Sequence, residues 1–238
     1  MDIFRVDRTH AAQARGIVIV IDVIRAFSVA GYAFAGGALG LKLVRTTEEA
    51  FTLHAREPDA LLAGEIDGRL IPGFDLNNSP ALMAKADVRG RYIIQRTGAG
   101  TQGAVNATHA QCTLLCALTN AKATATHAQR LATAADGIIT LLPTASSEND
   151  TDRNEDDICA DYVEALLRGQ DDAPEILAKG TTYLQEKDRF APWTMGLSDF
   201  PFEDIAAVLA VDRFNFAMVG KQERWQEMLY VHAQRVKV

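Results

Sequence analysis

Short hydrophobic runs alternate along this chain with longer segments whose apolar residues recur at helical spacing. The clearest run, GIVIVID at residues 16–22, is rich in β-branched residues and ends in an acid. Because a strand covered on both faces shows no polar alternation, this run predicts a strand inside a sheet. The same criteria predict further strands at residues 41–44, 60–63, 92–95, 113–115 and 138–142, and a closing strand pair at 217–219 and 229–231.

Helical segments lie between these strands. The run TTEE at residues 46–49 predicts a helix start, since a hydroxyl caps the first turn and acids favour the positive end of the helix dipole. Ser79 followed by Pro80 predicts another start, with cap and first-turn proline in order. Spacing predicts the remaining helices at residues 24–37, 104–109, 120–135, 155–167 and 202–211, with a polar break at 169–174.

Regular alternation of strands and helices indicates an α/β protein. We expect a mainly parallel or mixed sheet covered by helices on both faces. A chain of 238 residues is long enough to form one domain over residues 1–238. The pattern also allows two packed and structurally related subdomains, at approximately 1–110 and 111–238.

Charge and composition narrow the class of partner. The formal net charge of −7 argues against a nucleic-acid-binding surface, because such surfaces need clustered Lys and Arg. Residues 1–9 contain no apolar core of a signal peptide, and no apolar run approaches the roughly 18 residues of a membrane span. We therefore expect a cytoplasmic protein that does not bind membranes, with buried free thiols at Cys112, Cys116 and Cys159.

The first candidate for chemistry follows the clearest strand. In open α/β sheets, binding groups gather at the carboxyl ends of the strands. Asp22 lies at such an end, and Arg25 follows three residues later. The pair is explained either by a salt bridge at the end of the strand, or by a metal-binding or nucleophilic carboxylate beside an arginine that holds an anionic oxygen.

A second candidate is the long loop of residues 64–78. Glu65 and Asp75 lie in this glycine-containing loop, where carboxylates could hold Mg²⁺ or could only tie down the loop. Asn78 and Ser79 lie beside the free backbone donors of the helix that begins at Pro80, although capping alone explains Ser79.

The third candidate is RTGAGTQG at residues 96–103, between a strand and a helix. Glycines allow close approach of the backbone, hydroxyls add donors, and the arginine adds charge, which together suit a phosphate or sulfonate group. A plain tight turn explains the same residues equally well, and no Lys follows the glycines as a nucleotide-binding loop requires. The candidate binding residues are Arg96, Thr97, Gly98, Gly100 and Thr101.

The fourth candidate combines the polar segment 142–150 with the acids that open the helix at 155–167. Adjacent helical residues point in different directions, so at most one or two of three consecutive acids can face one metal ion. Glu155 and Asp156 are our choices, while a favourable interaction with the helix dipole is the alternative. The five histidines show no metal-binding spacing.

These blocks, in this order, resemble the 2-phosphosulfolactate phosphatase family, whose members are Mg²⁺-dependent and named for a step in coenzyme M synthesis. The resemblance spans nearly the whole chain, and it differs from the usual family pattern at Asn77 and Ala99, where family members usually have Gly and Asn. Its carrying segments are residues 20–26, 63–65, 73–80, 97–101, 155–156 with 159–160, and 211–214.

The resemblance implies Mg²⁺-dependent hydrolysis of a phosphomonoester of a small anionic acid. Arg25 and Arg96 would stabilise charge on the phosphoryl group, while Asp22 would bind the metal or attack phosphorus. The implied metal ligands are a subset of Asp22, Glu65, Asp75, Glu155 and Asp156. A phosphatase of another metabolite, or a non-catalytic anion-binding or regulatory protein, stays open because of Ala99. From the usual symmetry of metabolic enzymes we expect a homodimer.

Overall fold

A ten-stranded mixed sheet forms the centre of the described part of the chain, which is residues 1–134, 137–145 and 152–238 of a computed structural model. The order across the sheet is β1-β8-β2-β7-β9-β10-β3-β6-β4-β5. In chain order the strands are β1 (Asp2–Arg5), β2 (Gly16–Ile21), β3 (Gly40–Val44), β4 (Leu61–Ile66), β5 (Arg69–Leu70), β6 (Tyr92–Arg96), β7 (Ala110–Cys116), β8 (Ile138–Pro143), β9 (Phe216–Trp225) and β10 (Met228–Lys237).

Helices fill most of the connections between these strands. Short 3₁₀ helices at Arg8–Gln13 and Leu118–Asn120 accompany them. Within the described residues the α-helices are α1 (Ala26–Ala35), α2 (Thr47–Arg56), α3 (Pro80–Met83), α4 (Gly100–Asn106), α5 (Ala121–Ala134), α6 (Glu155–Arg168), α7 (Ala173–Glu186), α8 (Ala191–Thr194) and α9 (Glu203–Val208).

The sheet contains two groups of parallel strands. The first group is β1, β8, β2 and β7, and the second is β3, β6 and β4. The long hairpin of β9 and β10 lies between them and pairs antiparallel with β7 on one side and β3 on the other. A mixed sheet is therefore confirmed, and its strands from the amino-terminal and carboxyl-terminal parts of the chain are interleaved.

Strand β2 shows why helices cover both faces of the sheet. Its side chains alternate between two hydrophobic clusters, with Val18 and Val20 packed on the side of α1 and Ile17, Ile19 and Ile21 on the side of α5 and α6. Because all six residues are buried, each face needs a helical cover, and the alternation of period two supplies one set of apolar groups to each.

Several predicted elements differ from the observed ones. Strand β1 was not predicted, because three of its four residues are exposed at the sheet edge and give no hydrophobic signal. Helix α7 starts inside the predicted polar break, with Pro174 in its first turn. Helix α4 begins at Gly100 instead of residue 104, and α9 ends earlier than predicted. Residue 135, the predicted end of the Ala-rich helix, lies outside the described residues.

Two further expectations concern cysteines and membranes. Cys116 and Cys159 are buried free thiols as predicted, whereas Cys112 is partly exposed because it lies near the start of β7, whose first three residues are all incompletely covered. Among the helices that the structure describes, none combines the length and the apolar character needed to cross a membrane.

Candidate active site

A cavity of about 170 Å³ lies where the carboxyl ends of the two parallel strand groups meet. Asp22 follows β2 of the first group, while Glu65 ends β4 and Thr97 follows β6 of the second. The residues that line it are Asp22, Ile24, Arg25, Glu65, Gly68, Asn78, Thr97, Ala99, Trp193 and Phe200.

Asp22 is 4% exposed and is held by backbone donors. Its Oδ1 accepts a hydrogen bond of 2.9 Å from the Ala26 N–H, in the first turn of α1, and the Gly100 N–H also donates to the carboxylate. A Cβ at Gly100 would lie 2.6 Å from Asp22 Oδ2, so only glycine permits this approach. The glycine-rich turn after β6 therefore serves to bring a helix start against Asp22.

Burial raises the pKa of Asp22 to about 7, and the negative charges of Glu155 and Glu65 add to the rise. The hydrogen bonds from Ala26 and Gly100 act in the opposite direction, because they favour the ionised form. Asp22 therefore changes its protonation state near neutral pH. Carboxylates shifted in this way are typical of catalytic sites.

Asp156 lies behind Asp22 and ties together the loops after β2 and β8. Its Oδ1 accepts from Val23 N–H at 2.7 Å, and its Oδ2 accepts from the N–H groups of Thr144 and Ala145 at 3.1 and 2.9 Å. Burial, together with the charges of Asp22 and Glu155, raises the pKa of Asp156 well above its usual range. Asp156 is not among the residues that line the cavity, so the structure gives it a supporting place.

Glu155, the other acid predicted from the start of α6, forms an ion pair with Arg189. Arg189 donates from Nε to Glu155 Oε2 at 2.6 Å and from Nη2 to Oε1 at 3.1 Å. Glu155 is buried, and its charge acts on Asp22 and Asp156 although it is not part of the cavity lining. Residues 146–150 of the predicted segment 142–150 lie outside the described residues.

Glu65 faces the cavity from the end of β4, with each carboxylate oxygen held by one backbone donor. Gly98 N–H donates to Oε1 at 2.6 Å and Gly68 N–H to Oε2 at 2.7 Å. Arg96 does not line the cavity; its Nη1 donates to the backbone oxygen of Glu65 at 2.7 Å. A side chain at Gly64 would overlap the Arg96 carbonyl oxygen, so this strand pair also requires a glycine.

Thr97 and Thr101 close the turn after β6 by reciprocal hydrogen bonds. Thr97 N–H donates to Thr101 Oγ1 at 2.9 Å, and Thr101 N–H donates to Thr97 Oγ1 at 3.2 Å. Thr97 lines the cavity, whereas Thr101 is fully buried behind it. The two hydroxyls thus fix the turn that presents Gly98 and Gly100 to the two acids.

The predicted residues of the second loop separate in space. Asn78 lines the cavity, is 4% exposed, and its Oδ1 is buried without a hydrogen-bond partner among the described residues. Ser79 does not line it; its hydroxyl caps α3 by accepting from Leu82 N–H at 3.2 Å. Asp75 is exposed, and its Oδ2 accepts from Leu62 N–H at 2.8 Å, which fastens the loop to β4.

Arg25 lines the cavity, yet three of its five N–H donors bind the protein. Its Nη1 donates to the Asp199 carbonyl oxygen at 2.7 Å and to Asp204 Oδ2 at 3.0 Å, and its Nη2 donates to the Gly68 carbonyl oxygen at 2.9 Å. Trp193 and the ring of Phe200, at 4.8 Å, pack on the guanidinium. The peptide bond that precedes Arg25 is cis.

The segment that carries these last residues was not predicted to belong to the site. Trp193 and Phe200 line the cavity, and Asp204 binds Arg25 from behind. The available sequence signal was weak: three aromatic residues and three acids lie among the prolines of residues 191–204, with no regular spacing. Of the predicted site residues, the cavity brings together Asp22, Arg25, Glu65, Asn78 and Thr97.

Oxygen-rich groups in the cavity match the chemistry of Mg²⁺. In the described part of the chain, no group of three or more His, Cys, Asp and Glu side chains could by itself hold a metal ion. Mg²⁺, however, is commonly bound by only one or two carboxylates and keeps water and phosphate oxygens for its other positions. Asp22, Glu65 and the unpartnered Asn78 Oδ1 are a donor set of this kind.

Comparison with known proteins places the chain in a family. Residues 3–191 match the family model described as 2-phosphosulpholactate phosphatase. A protein of Bacillus subtilis named "Probable 2-phosphosulfolactate phosphatase" is 42% identical over 160 residues, which are 67% of this chain and 68% of the relative. Proteins of the same name from Deinococcus radiodurans, 43% identical over 54% of each chain, and Thermus thermophilus, 41% identical over 49% of each chain, are also similar. The chain belongs to the 2-phosphosulpholactate phosphatase family.

Proposed function

We propose that this protein hydrolyses a phosphomonoester of a small anionic acid in a Mg²⁺-dependent reaction. The observation that carries the proposal is the meeting of two buried acids, Asp22 and Glu65, with Arg25 and Asn78 in the lining of one cavity of about 170 Å³, where Asn78 Oδ1 has no partner among the described residues. Such a volume suits a small substrate. The names of the relatives make 2-phosphosulfolactate the first compound to test.

In this proposal Asp22 and Glu65, together with Asn78 Oδ1, hold Mg²⁺. When bound, Mg²⁺ would neutralise charge on the phosphoryl oxygens during transfer. Arg25 places a positive charge in the cavity wall. In this proposal the aromatic side chains of Trp193 and Phe200, which also line the cavity, limit the entry of water. The acids therefore select a cation, while the arginine favours the anionic substrate.

Asp22 is the residue that we assign to the chemistry. Hydrolysis forms a bond between a water oxygen and phosphorus, breaks the phosphorus–oxygen ester bond, and gives a proton to the departing alcohol. Asp22, ionised when it holds Mg²⁺, would orient the attacking water by accepting a hydrogen bond from it, and the proton that this water loses passes to the departing alcohol. Direct attack of Asp22 on phosphorus is the alternative route, and an acid-quenched reaction that leaves a phosphoryl group on the Asp22 peptide would favour it.

The test is phosphate release from a panel of small phosphomonoesters, including 2-phosphosulfolactate, with Mg²⁺ and with a chelator. We expect release with Mg²⁺, loss in chelator, and loss in the Asp22→Asn and Glu65→Gln variants. Activity retained in chelator would remove the metal from the proposal. If wild-type protein and Asp22→Asn release equally little phosphate from every compound, the phosphatase proposal is wrong, and measured binding of the same compounds would favour an anion-binding protein.

The expected homodimer is a separate prediction. Light scattering coupled to size-exclusion chromatography measures the mass in solution, and twice the 25.9 kDa of one chain is the expected result. A mass equal to one chain would contradict it.

A further inference from the structure

The buried carboxylate of Asp204 lies outside the cavity lining. It connects two parts of the cavity wall, one formed by Arg25 and the other by Asn78 at the start of α3. Asp204 is 0% exposed, and it does not line the cavity. It opens α9, in the part of the chain that lies beyond the family match over residues 3–191. A carboxylate buried this completely needs several donors, so its partners show what it organises.

One oxygen of Asp204 serves the Arg25 side of the cavity. Oδ2 accepts from Arg25 Nη1 at 3.0 Å and from Trp193 Nε1 at 3.3 Å. The Trp193 ring lies 5.6 Å from the guanidinium carbon of Arg25, so the same carboxylate fixes both the cation and the aromatic group beside it. Asp204 thus sets the position and the charge balance of the arginine.

The other oxygen serves the Asn78 side. Oδ1 accepts from Ser79 Oγ at 2.6 Å and from Ala81 N–H at 3.0 Å, at the start of α3. These donors follow directly on Asn78, whose amide lines the cavity. A shift of Asp204 would therefore move Arg25 and Asn78 together.

We propose that Asp204 is a positioning residue, which acts through Arg25 and the start of α3 to hold the cavity in the geometry that binds a phosphoryl group. This inference rests on the proposed function. Asp204 accepts hydrogen bonds from Arg25 and from Ser79. Because it is fully buried outside the cavity, its carboxylate balances the charge of Arg25 and takes up no space that a substrate needs. Ser79, predicted from the sequence as a substrate-binding residue, contributes by holding Asp204.

Binding of inorganic phosphate can be followed without turnover. The chain has two tryptophans, Trp193 beside Arg25 and Trp225 beside Arg56. A Trp225→Phe background leaves Trp193 as the only indole, so its fluorescence reports on the cavity, and calorimetry supplies an independent affinity. We expect phosphate to change Trp193 fluorescence with Mg²⁺ present.

In that background, Asp204→Asn is expected to weaken phosphate binding on the order of 10-fold or more, since hydrogen bonds to charged groups contribute that much affinity. Its control is Asp161→Asn. Asp161 lies on α6, away from the cavity, and its carboxylate accepts a hydrogen bond of 2.9 Å from Arg5. The control should bind phosphate like the parent. A folded Asp204→Asn protein with unchanged affinity and unchanged kcat/KM would overturn the inference.

A double-mutant cycle separates positioning from general stability. If Asp204 acts in part through Arg25, adding Asp204→Asn to Arg25→Gln should weaken phosphate binding less than adding it to the parent, and the remaining loss is the part that acts through the start of α3. Additive losses would indicate two independent effects and contradict the inference. Should Asp204→Asn fail to fold, Ser79→Ala removes one donor to Asp204 Oδ1 without changing the cavity lining, and calorimetry should then show affinity reduced about fivefold; an unchanged affinity would count against positioning.

The two proposals fail in different ways. A parent protein that releases phosphate from substrates, while Asp204→Asn matches it in affinity and rate, loses only the positioning inference. A parent protein that neither binds phosphate nor releases it from any compound loses the proposed function, and the inference with it.

Discussion

Two cavities lie at opposite ends of the strands β4 and β6. The active-site cavity, about 170 Å³, is at their carboxyl ends, and a larger cleft of about 520 Å³ is at their amino ends. The cleft is lined by Lys42, Arg56, Glu57, Pro58, Asp59, Ala60, Gly90, Arg91, Tyr92 and His232. Size alone would select the cleft as the binding site.

Several polar groups of the cleft, however, already have partners in the protein. Lys42 forms an ion pair with Glu57, and Arg91 Nε donates to the Asp59 carbonyl oxygen at 2.8 Å. His232 Nδ1 lies 3.2 Å from a carboxylate oxygen of Glu223. The unpartnered His232 Nε2 packs towards Gly40, since a Cβ there would lie 3.0 Å from it.

The smaller cavity contains groups that the protein leaves unsatisfied. Asp22 is buried beside other acids, its pKa is raised to about 7, and Asn78 Oδ1 has no partner within the described residues. Burying such groups costs folding free energy, and groups of this kind are typical of functional sites. The comparison teaches that an unsatisfied polar group and a raised carboxyl pKa identify this site better than volume does.

The largest effect is expected when the same substitution, Asp to Asn, is made in each of the two cavities and the activities are compared. Asp22→Asn should lower kcat for phosphate release on the order of 10³-fold or more, because it removes the acid assigned to the chemistry. Asp59→Asn, in the cleft, is the matched control and should stay within about twofold of wild type. Steady-state phosphate release from the best substrate checks both. Comparable losses in the two variants would break the comparison.

Folding stability should fall as the pH rises towards and through 7. The native pKa of Asp22 is raised to about 7 from 3.8, so the native state binds more protons than the unfolded state between these values. Its favourable contribution is complete below about pH 4 and is lost as the pH rises through 7. An asparagine at this position does not ionise and so loses no stability as the pH rises. In chelator at pH 8, the free energy of unfolding of Asp22→Asn should therefore exceed that of wild type by up to ~4 kcal/mol.

Urea unfolding at pH 5, 6.5 and 8 measures this difference. The gain from Asp22→Asn should grow steadily across the series, while added Mg²⁺ should reduce it by stabilising the ionised wild-type carboxylate. A difference between variant and wild type that stays constant with pH would show that burial of the charge at Asp22 has little influence on stability.

Local sequence signals predicted the elements that carry the cavity. The continuous β-branched run of β2 fixed the place of Asp22 at a strand end, and Ser79 before Pro80 fixed the start of α3, because both signals depend on neighbours in the chain. The arrangement of the two strand groups could not be predicted from local signals, because the hairpin of β9 and β10, which comes last in the chain, lies between them in the sheet.

Contacts between distant segments could not be predicted in the same way. Asp156 was expected to face a metal, but the face it presents depends on how α6 docks on the loops after β2 and β8, and its oxygens are used there by Val23, Thr144 and Ala145. Arg25 is separated by 179 residues from Asp204, and no local pattern relates the two. The closing wall of the site is therefore a tertiary feature.

Asn78 offers a smaller but sharper test of unsatisfied polar groups as the mark of the site. Because its Oδ1 has no partner in the described part of the chain, Asn78→Ala should change the free energy of unfolding by less than about 1 kcal/mol. The same substitution should lower kcat/KM about tenfold, since the oxygen is assigned to Mg²⁺, and should raise the Mg²⁺ concentration needed for half-maximal activity. A large loss of stability with unchanged Mg²⁺ dependence would show that Asn78 serves the fold instead.

The smallest effect is expected in the cleft. Lys42 lies near the rings of Tyr92 and Tyr230 and pairs with Glu57, which is 33% exposed. Lys42→Met keeps the apolar stem and frees Glu57 to bind water, so unfolding should change by about 1 kcal/mol or less and activity by less than about twofold. Chemical denaturation and phosphate release measure the two. A loss of activity beyond tenfold in a stably folded variant would mean that the cleft is coupled to the active site, and that paired charges do not exclude a cavity from function.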